Sequence, residues 1–259
     1  MRILAGALLG LLANGAFANT LTTDYTDLWW NPNESGWGAN IAHQTDTMVV
    51  TLFVYGAHGD PTWMIAPDTE RQPDGSFKGA LYTTTGTFYR NPYHASALTS
   101  TAIGTLTFTP SSFGQATLVY TVGGDKFTKP VQRQTWRNED YSGYYFGARE
   151  GYWDGCGAPL DGKVNSITQF SVSQNGSAFS ARDQGQGYIC NYTGTVNQQG
   201  RMASITGGFG VCDDGVSREF IASEVYASRE GLTMRYVLHQ TGTTCNFTGY
   251  IGGIRRLDQ

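Results

Sequence analysis

The stretch Ile167-Thr168-Gln169-Phe170-Ser171-Val172-Ser173-Gln174-Asn175-Gly176-Ser177-Ala178-Phe179-Ser180-Ala181-Arg182 decides the fold class. It holds two strand-forming runs, 167–173 and 178–182, joined across Asn175-Gly176, a dipeptide that favours a tight hairpin because both residues tolerate positive φ. The rhythm repeats outward from there. Gln199-Gly200 joins runs at 188–196 and 202–209, and Glu230-Gly231 joins 218–226 to 232–238; runs at 144–147 and 245–254 complete the C-terminal half. Nearer the N-terminus, Trp37, Ala39, Ile41 and His43 alternate with Gly38, Asn40, Ala42 and Gln44, a period of two. Further runs at 48–55, 63–66, 77–85, 103–109, 116–122 and 127–136 are divided by turn chemistry such as Thr45-Asp46, Pro73-Asp74-Gly75 and Gly123-Gly124-Asp125. The longest irregular stretch is 86–99. No segment carries a helical period. Seven or eight strands per half predict an all-β protein built of two small antiparallel meander β-barrels in tandem, closure being one way to remove exposed edges; a pair of β-sandwiches is the alternative.

Composition agrees. Of 259 residues only 15% are charged, while 13% are aromatic and 34 are Gly. Disordered chains are charge-rich and aromatic-poor, and this much Gly would weaken a helical bundle throughout. A net charge of -4 argues against a nucleic-acid surface.

Residues 1–18 read as a secretory signal peptide: Arg2, an apolar Ile3–Leu12 region, and the small-x-small pattern Ala16-Phe17-Ala18 before Asn19. The apolar run is shorter than the ~20 residues that span a bilayer. The expected location is therefore periplasmic or secreted, with no integral membrane segment after cleavage. Cys156, Cys190, Cys212 and Cys245 all lie in the C-terminal half, an even count without any C-x-x-C pair, which argues for disulfides and against a metal site. The expected pairs are Cys190–Cys212, across the Gln199-Gly200 hairpin, and Cys156–Cys245, tying the exit of the first strand to the last. Direct register would set position 190 opposite about 207, an offset that counts against the first pair. The polar stretch Arg137-Asn138-Glu139-Asp140 marks the boundary between an N-terminal domain, 19–137, and a C-terminal domain, 138–259.

The densest constellation is Leu28-Trp29-Trp30-Asn31-Pro32-Asn33-Glu34-Ser35-Gly36-Trp37-Gly38. Flat indole faces stack on sugars or apolar molecules, and Asn and Glu add directional hydrogen bonds. The candidate ligand-binding residues are Trp29, Trp30, Asn33, Glu34, Trp37, His43 and Trp63. In the competing reading the indoles plug one end of a small barrel while Asn-Pro-Asn makes the turn.

Asn31-Pro32-Asn33-Glu34-Ser35-Gly36-Trp37-Gly38, followed by Ile41 and His43-Gln44, resembles a family of exported proteobacterial β-domains with a Trp-x-x-x-Glu-Ser-Gly-Trp-Gly segment. Gly59-Asp60-Pro61-Thr62-Trp63, Leu106-Thr107-Phe108 and the stretch Lys129-Pro130 to Arg133 fit the same pattern, so the resemblance covers most of 27–136. It implies an exported β-domain and brings no catalytic residues with it. The second half is similar to that group's disulfide-bearing barrels only in general character.

His43, His58, His94 and His239 form no H-x-H or H-x-x-x-H pair, and no cofactor or metal is expected. A glycosidase would need a second carboxylate opposite Glu34, with Asp60 and Glu70 as candidates. Tyr144-Tyr145-Phe146 and Tyr152-Trp153-Asp154 form another aromatic cluster, readable as a second pocket or as a barrel mouth held by Cys156. Three function classes follow: a non-catalytic binding protein for a glycan or small apolar ligand, a protein-interaction or inhibitor module, and a hydrolase. An apolar pocket lined by Trp29, Trp30 and Trp37 points to the first, a filled barrel with protruding apolar loops to the second, converging acid–base groups to the third.

Overall fold

The computed structural model describes residues 23–256; the expected signal peptide lies outside them. The chain forms two closed eight-stranded antiparallel barrels, each with simple up-and-down connectivity. The first contains β1 (Asp27–Trp30), β2 (Gly38–Gln44), β3 (Thr47–Tyr55), β4 (Pro61–Arg71), β5 (Phe77–Thr85), β6 (Thr99–Pro110), β7 (Gln115–Val122) and β8 (Asp125–Arg133). The second contains β9 (Gly143–Asp154), β10 (Gly162–Asn175), β11 (Ala178–Gly185), β12 (Tyr188–Gln199), β13 (Met202–Cys212), β14 (Ser217–Ala227), β15 (Gly231–His239) and β16 (Asn246–Arg255). The passage between them, 134–142, includes the polar Arg137–Asp140 stretch. No helix among the described residues is long and apolar enough to cross a membrane.

Strand alternation sets each interior. In the first barrel Ile41, Met48, Val50, Leu52, Leu81, Leu106, Phe108 and Leu118 point inward and are fully buried. Eight strands leave an interior just wide enough for such side chains to fill. Closure depends on β1, which the sequence reading assigned to the aromatic loop. Four residues are too few to display a period of two, but Trp29 pairs with Ala39 on one side and Arg133 on the other. In β4 the ladder with β5 is broken between Ile65 and Glu70. Pro67, which has no N–H to donate, sits in that gap. The buried Thr69 hydroxyl donates to the Met48 carbonyl at 2.7 Å.

Both disulfides form as the sequence predicts, Cys156–Cys245 and Cys190–Cys212. The expected offset at position 190 disappears. The β12–β13 hairpin turns tightly through Gly200-Arg201, pairing Gln199 with Met202, and a bulge between Thr193 and Thr195 advances the ladder so that Cys190 faces Cys212 directly. Cys245 lies just before β16, whose first residue, Asn246, pairs with Asp154 at the exit of β9.

The tip of that hairpin joins the barrels. Gly200 N–H donates to Thr135 Oγ1 at 2.9 Å, Arg201 N–H donates to Asp27 Oδ2 at 3.0 Å, and the Arg201 guanidinium pairs with Asp24. Gln198 bonds the Arg137 carbonyl and the Glu139 N–H in the connecting passage. Beneath the tip, Arg133 is buried at the end of the first barrel. It donates to Asp27 Oδ2 at 3.1 Å, to the carbonyls of Thr26 at 3.1 Å and Phe113 at 2.6 Å, and to that of Asp24. A buried cation keeps its charge only with such partners.

Candidate functional site

The Asn31–Trp37 loop lies at the end of the first barrel remote from that junction. Its turn is set by Asn31, whose Oδ1 accepts the Asn33 N–H at 3.0 Å and whose carbonyl accepts the Glu34 N–H at 3.0 Å. Asx side chains favour this local bonding. Gly36 adopts φ 105°, and a Cβ there would meet the Tyr55 ring at 3.5 Å. The loop then returns over the barrel mouth. Trp37 packs on the core, its indole N–H donates to Glu34 Oε2 at 3.1 Å, and Lys129 Nζ donates to the same oxygen at 2.7 Å. The Lys129 ammonium also lies 5.7 Å from the centre of the Trp37 ring. The Lys129 hydrogen bond, supplemented by Trp37, holds the Glu34 carboxyl below the ordinary range.

The candidate residues separate into three groups. Trp29 points inward and is 1% exposed. Its ring meets the Phe108 ring edge-on at 5.0 Å, its N–H donates to the Tyr25 carbonyl at 3.0 Å, and the Arg133 guanidinium lies over the ring, 5.1 Å from its centroid. A ligand cannot stack on it, so Trp29 leaves the candidate surface, because β1 is a strand and alternation turns this residue into the core. His43 also leaves it. It sits at the opposite end, near the junction, with Nδ1 accepting the Tyr25 N–H at 3.2 Å and its ring edge-on to Phe77 at 5.1 Å. Burial lowers its pKa, against the opposing effect of Asp24. Trp37 belongs to the plug, with Glu34 as its anchor; Asn33 is exposed at the apex of the loop.

Trp30 and Trp63 remain, and the sheet brings them onto one outer face. Phe53 pairs directly with Trp63 on one side and with Gly38 on the other. Trp30 follows Trp29, which pairs with Ala39, so it stands beside Gly38 on the outward side. The row across four strands is therefore Trp30, Gly38, Phe53, Trp63, with Tyr55 two residues further along β3. Trp63 is 48% exposed, and Phe53 and Tyr55 are comparably open. Phe53 and Tyr55 were not singled out from sequence; their signal was alternation along Val49, Thr51, Phe53 and Tyr55, the outward set of a strand whose inward set is aliphatic. Beyond this face the 86–98 segment, containing a 3-10 turn at Ala95–Ala97, exposes Phe88, Tyr89 and Tyr93.

The acid–base candidates do not assemble into a reaction site. Glycoside hydrolysis needs a general acid of raised pKa, whereas Glu34 is held ionised by Lys129. Glu70, paired with Thr47 and Lys78, lies at the other end of the barrel. Asp60 shares the end with Glu34, in the turn where its carbonyl accepts the Gly56 N–H at 2.9 Å. His239 Nδ1 is 2.7 Å from Asn246 Oδ1 in the second barrel. Among the described residues no three His, Cys, Asp or Glu side chains are grouped to hold a metal. In the second cluster, Tyr144, Phe146 and Tyr152 face outward on β9, while Trp153 faces inward at the rim carrying both disulfides.

No protein-family model and no curated protein matches this chain.

Proposed function

We propose that the protein is an exported, non-catalytic binding protein that holds a glycan chain against the outer aromatic face of its first barrel. The observation that carries this reading is the row Trp30, Gly38, Phe53 and Trp63, extended by Tyr55. Phe53, Tyr55 and Trp63 stand open on one pleated surface beside the half-buried Trp30, the kind of patch that marks interaction sites. The absent side chain at Gly38 leaves a shallow step between Trp30 and Phe53, so a pyranose ring can lie with its C–H face against an indole and its hydroxyls toward Asn40 and Thr51, the next outward residues of β2 and β3. Trp29 and Trp37 support this face from within and at the end, without touching the ligand. Export draws support from the N-terminal segment and from two disulfides, which persist in oxidising compartments.

The test is depletion of the protein by insoluble polysaccharides, followed by fluorescence titration with soluble oligosaccharides of the one that retains it. Trp63→Ala should weaken binding about 3- to 10-fold, the effect of losing one aromatic contact of ~0.5–1.5 kcal/mol. Equal retention of wild type and Trp63→Ala, or no retention by any polysaccharide, counts against the reading. The second reading, a protein-interaction module, is favoured by the exposed Phe88, Tyr89 and Tyr93 of the 86–98 segment. Substituting those three without effect on glycan retention would separate the two.

A further inference from the structure

The second barrel differs inside. At the disulfide rim a mouth of about 210 Å³ opens between Trp153, Leu160 and Leu238, with both disulfides in its wall. Arg149 and Arg218 also line it. The rim carboxylates are already engaged. Asp214 Oδ2 takes Arg218 Nη2 at 2.6 Å, and Asp213 Oδ2 accepts the Ile189 N–H at 3.3 Å. Arg218 is therefore neutralised where it stands.

Arg149 is not. Its Nε donates to Ser166 Oγ at 3.1 Å, and its guanidinium lies flat on the Tyr188 ring, 3.5 Å from the centroid. Its nearest carboxylate oxygen, Asp183 Oδ2, is 3.7 Å away, beyond a good hydrogen bond. Asp183 is 1% exposed, and its other oxygen is occupied by Thr168 and, at 3.4 Å, by Tyr188. Burial raises the Asp183 carboxyl, against the opposing effects of Thr168, Arg149 and Tyr188. Behind the pair a cavity of about 20 Å³ lies among Phe170, Phe220 and Met234. Asp183 Oδ2 and the hydroxyls of Tyr192 and Tyr236, which border it, have no protein hydrogen-bond partner. Its size suits about one water molecule. The arrangement is an apolar-walled mouth, a stacked guanidinium reachable from it whose terminal N–H groups meet no carboxylate of the described residues closer than 3.7 Å, and unpaired polar atoms beneath.

We propose that the second barrel is a binding cup for a small organic carboxylate, which enters at the disulfide rim and is held by the Arg149 guanidinium. A planar guanidinium offers parallel N–H groups that match a carboxylate, which an ammonium cannot do as well. Stacking on Tyr188 fixes the plane, so little orientational freedom is lost on binding. Trp153, Leu160 and Leu238 receive the apolar body of the ligand. The mouth is smaller than the ~300 Å³ and upward of sites for drug-sized molecules, so the ligand is smaller than those. This site is independent of the aromatic face on the first barrel.

Benzoate is a suitable probe and benzamide its uncharged counterpart, followed by the NMR signal of the Trp153 indole N–H. Benzoate should shift that signal saturably below about 10 mM, and benzamide should bind at least about tenfold more weakly. The variant carrying both Arg149→Gln and Asp183→Asn removes the ion pair as a unit, leaving no lone buried charge, and should lose benzoate binding by a similar factor while keeping its fold. No saturable shift with benzoate, equal shifts with benzamide, or undiminished binding in a folded double variant overturns the proposal. The benzoate–benzamide comparison needs only the wild-type protein, so it decides the matter even if the variant does not fold.

Discussion

The two barrels share topology and strand number, yet one is sealed and the other is open. The first is filled with aliphatic side chains and closed at both ends, by Trp37 with Lys129 and Glu34 at one and by Arg133 under the Arg201 hairpin at the other. The second places Arg149, Asp183, Thr168 and four buried tyrosines, Tyr141, Tyr145, Tyr192 and Tyr236, inside and spends glycines on inward positions. Gly151 and Gly249 face each other across β9 and β16. A Cβ at Gly249 would stand 2.6 Å from the Phe247 ring, so those positions are bare because that ring lies across them. One architecture thus supports a solid support or a cup, and the inward residues alone decide which.

The comparison can be broken most forcefully at Trp29. Trp29→Ala should cost the first barrel ~3–5 kcal/mol, the range for deleting a buried aromatic. Calorimetry should show an early transition for that barrel, while the Trp153 NMR signal keeps its native position. If both barrels lose structure together, their independence is refuted and the junction dominates. Next in size is the disulfide rim. Replacing Cys190 and Cys212 by Ser should lower the stability of the second barrel by ~2–4 kcal/mol. A reductant should do the same and leave the first barrel's melting unchanged; a uniform shift of both would contradict the assignment.

A smaller effect should come from pH. The folded pKa of His43 lies below its ordinary 6.5. The unfolded chain then binds the proton first, so the first barrel should hold full stability above about pH 6.5 and lose it progressively as pH falls below that. His43→Gln should flatten this slope in urea titrations between pH 8 and 5. In the second barrel, raised Asp183 acts in the opposite sense, its contribution declining as pH rises through its folded pKa. The smallest expected effect is Trp63→Ala, within about 0.5 kcal/mol for an outward site away from special features. The same substitution in the same barrel should therefore differ by several kcal/mol between positions 29 and 63, and equal costs would mean the face assignment fails.

Turn chemistry made the barrels legible from sequence. Asn175-Gly176 and the Gly200 tip are local signals, and the latter places Cys190 and Cys212 on one hairpin. Register was harder, because one bulge near Thr193 moves every later pair by a residue. The role of each indole was hardest. Trp29 and Trp30 are neighbours with opposite fates, and only the pairing of β1 with β2 and β8 distinguishes core from surface. Phe53 gains meaning through Trp63 and Gly38, and Arg149 through Asp183 and Tyr188. Each of these sets is assembled across strands, a relation no linear pattern carries.

The hairpin lodged at Arg133 has a consequence for how the molecule could act on two things at once. That contact joins the closed end of the first barrel to the end of the second opposite its disulfide rim. The aromatic loops and the cup therefore stand at the two poles, facing away from one another. Ligands held at the two proposed sites would not crowd one another. Communication between the poles has to pass the junction, where the Gly200-Arg201 turn, the Gln198 bonds to 137–139, the Thr23–Glu224 hydrogen bond and the 134–142 passage are the connections to cut if the two ends are to be uncoupled.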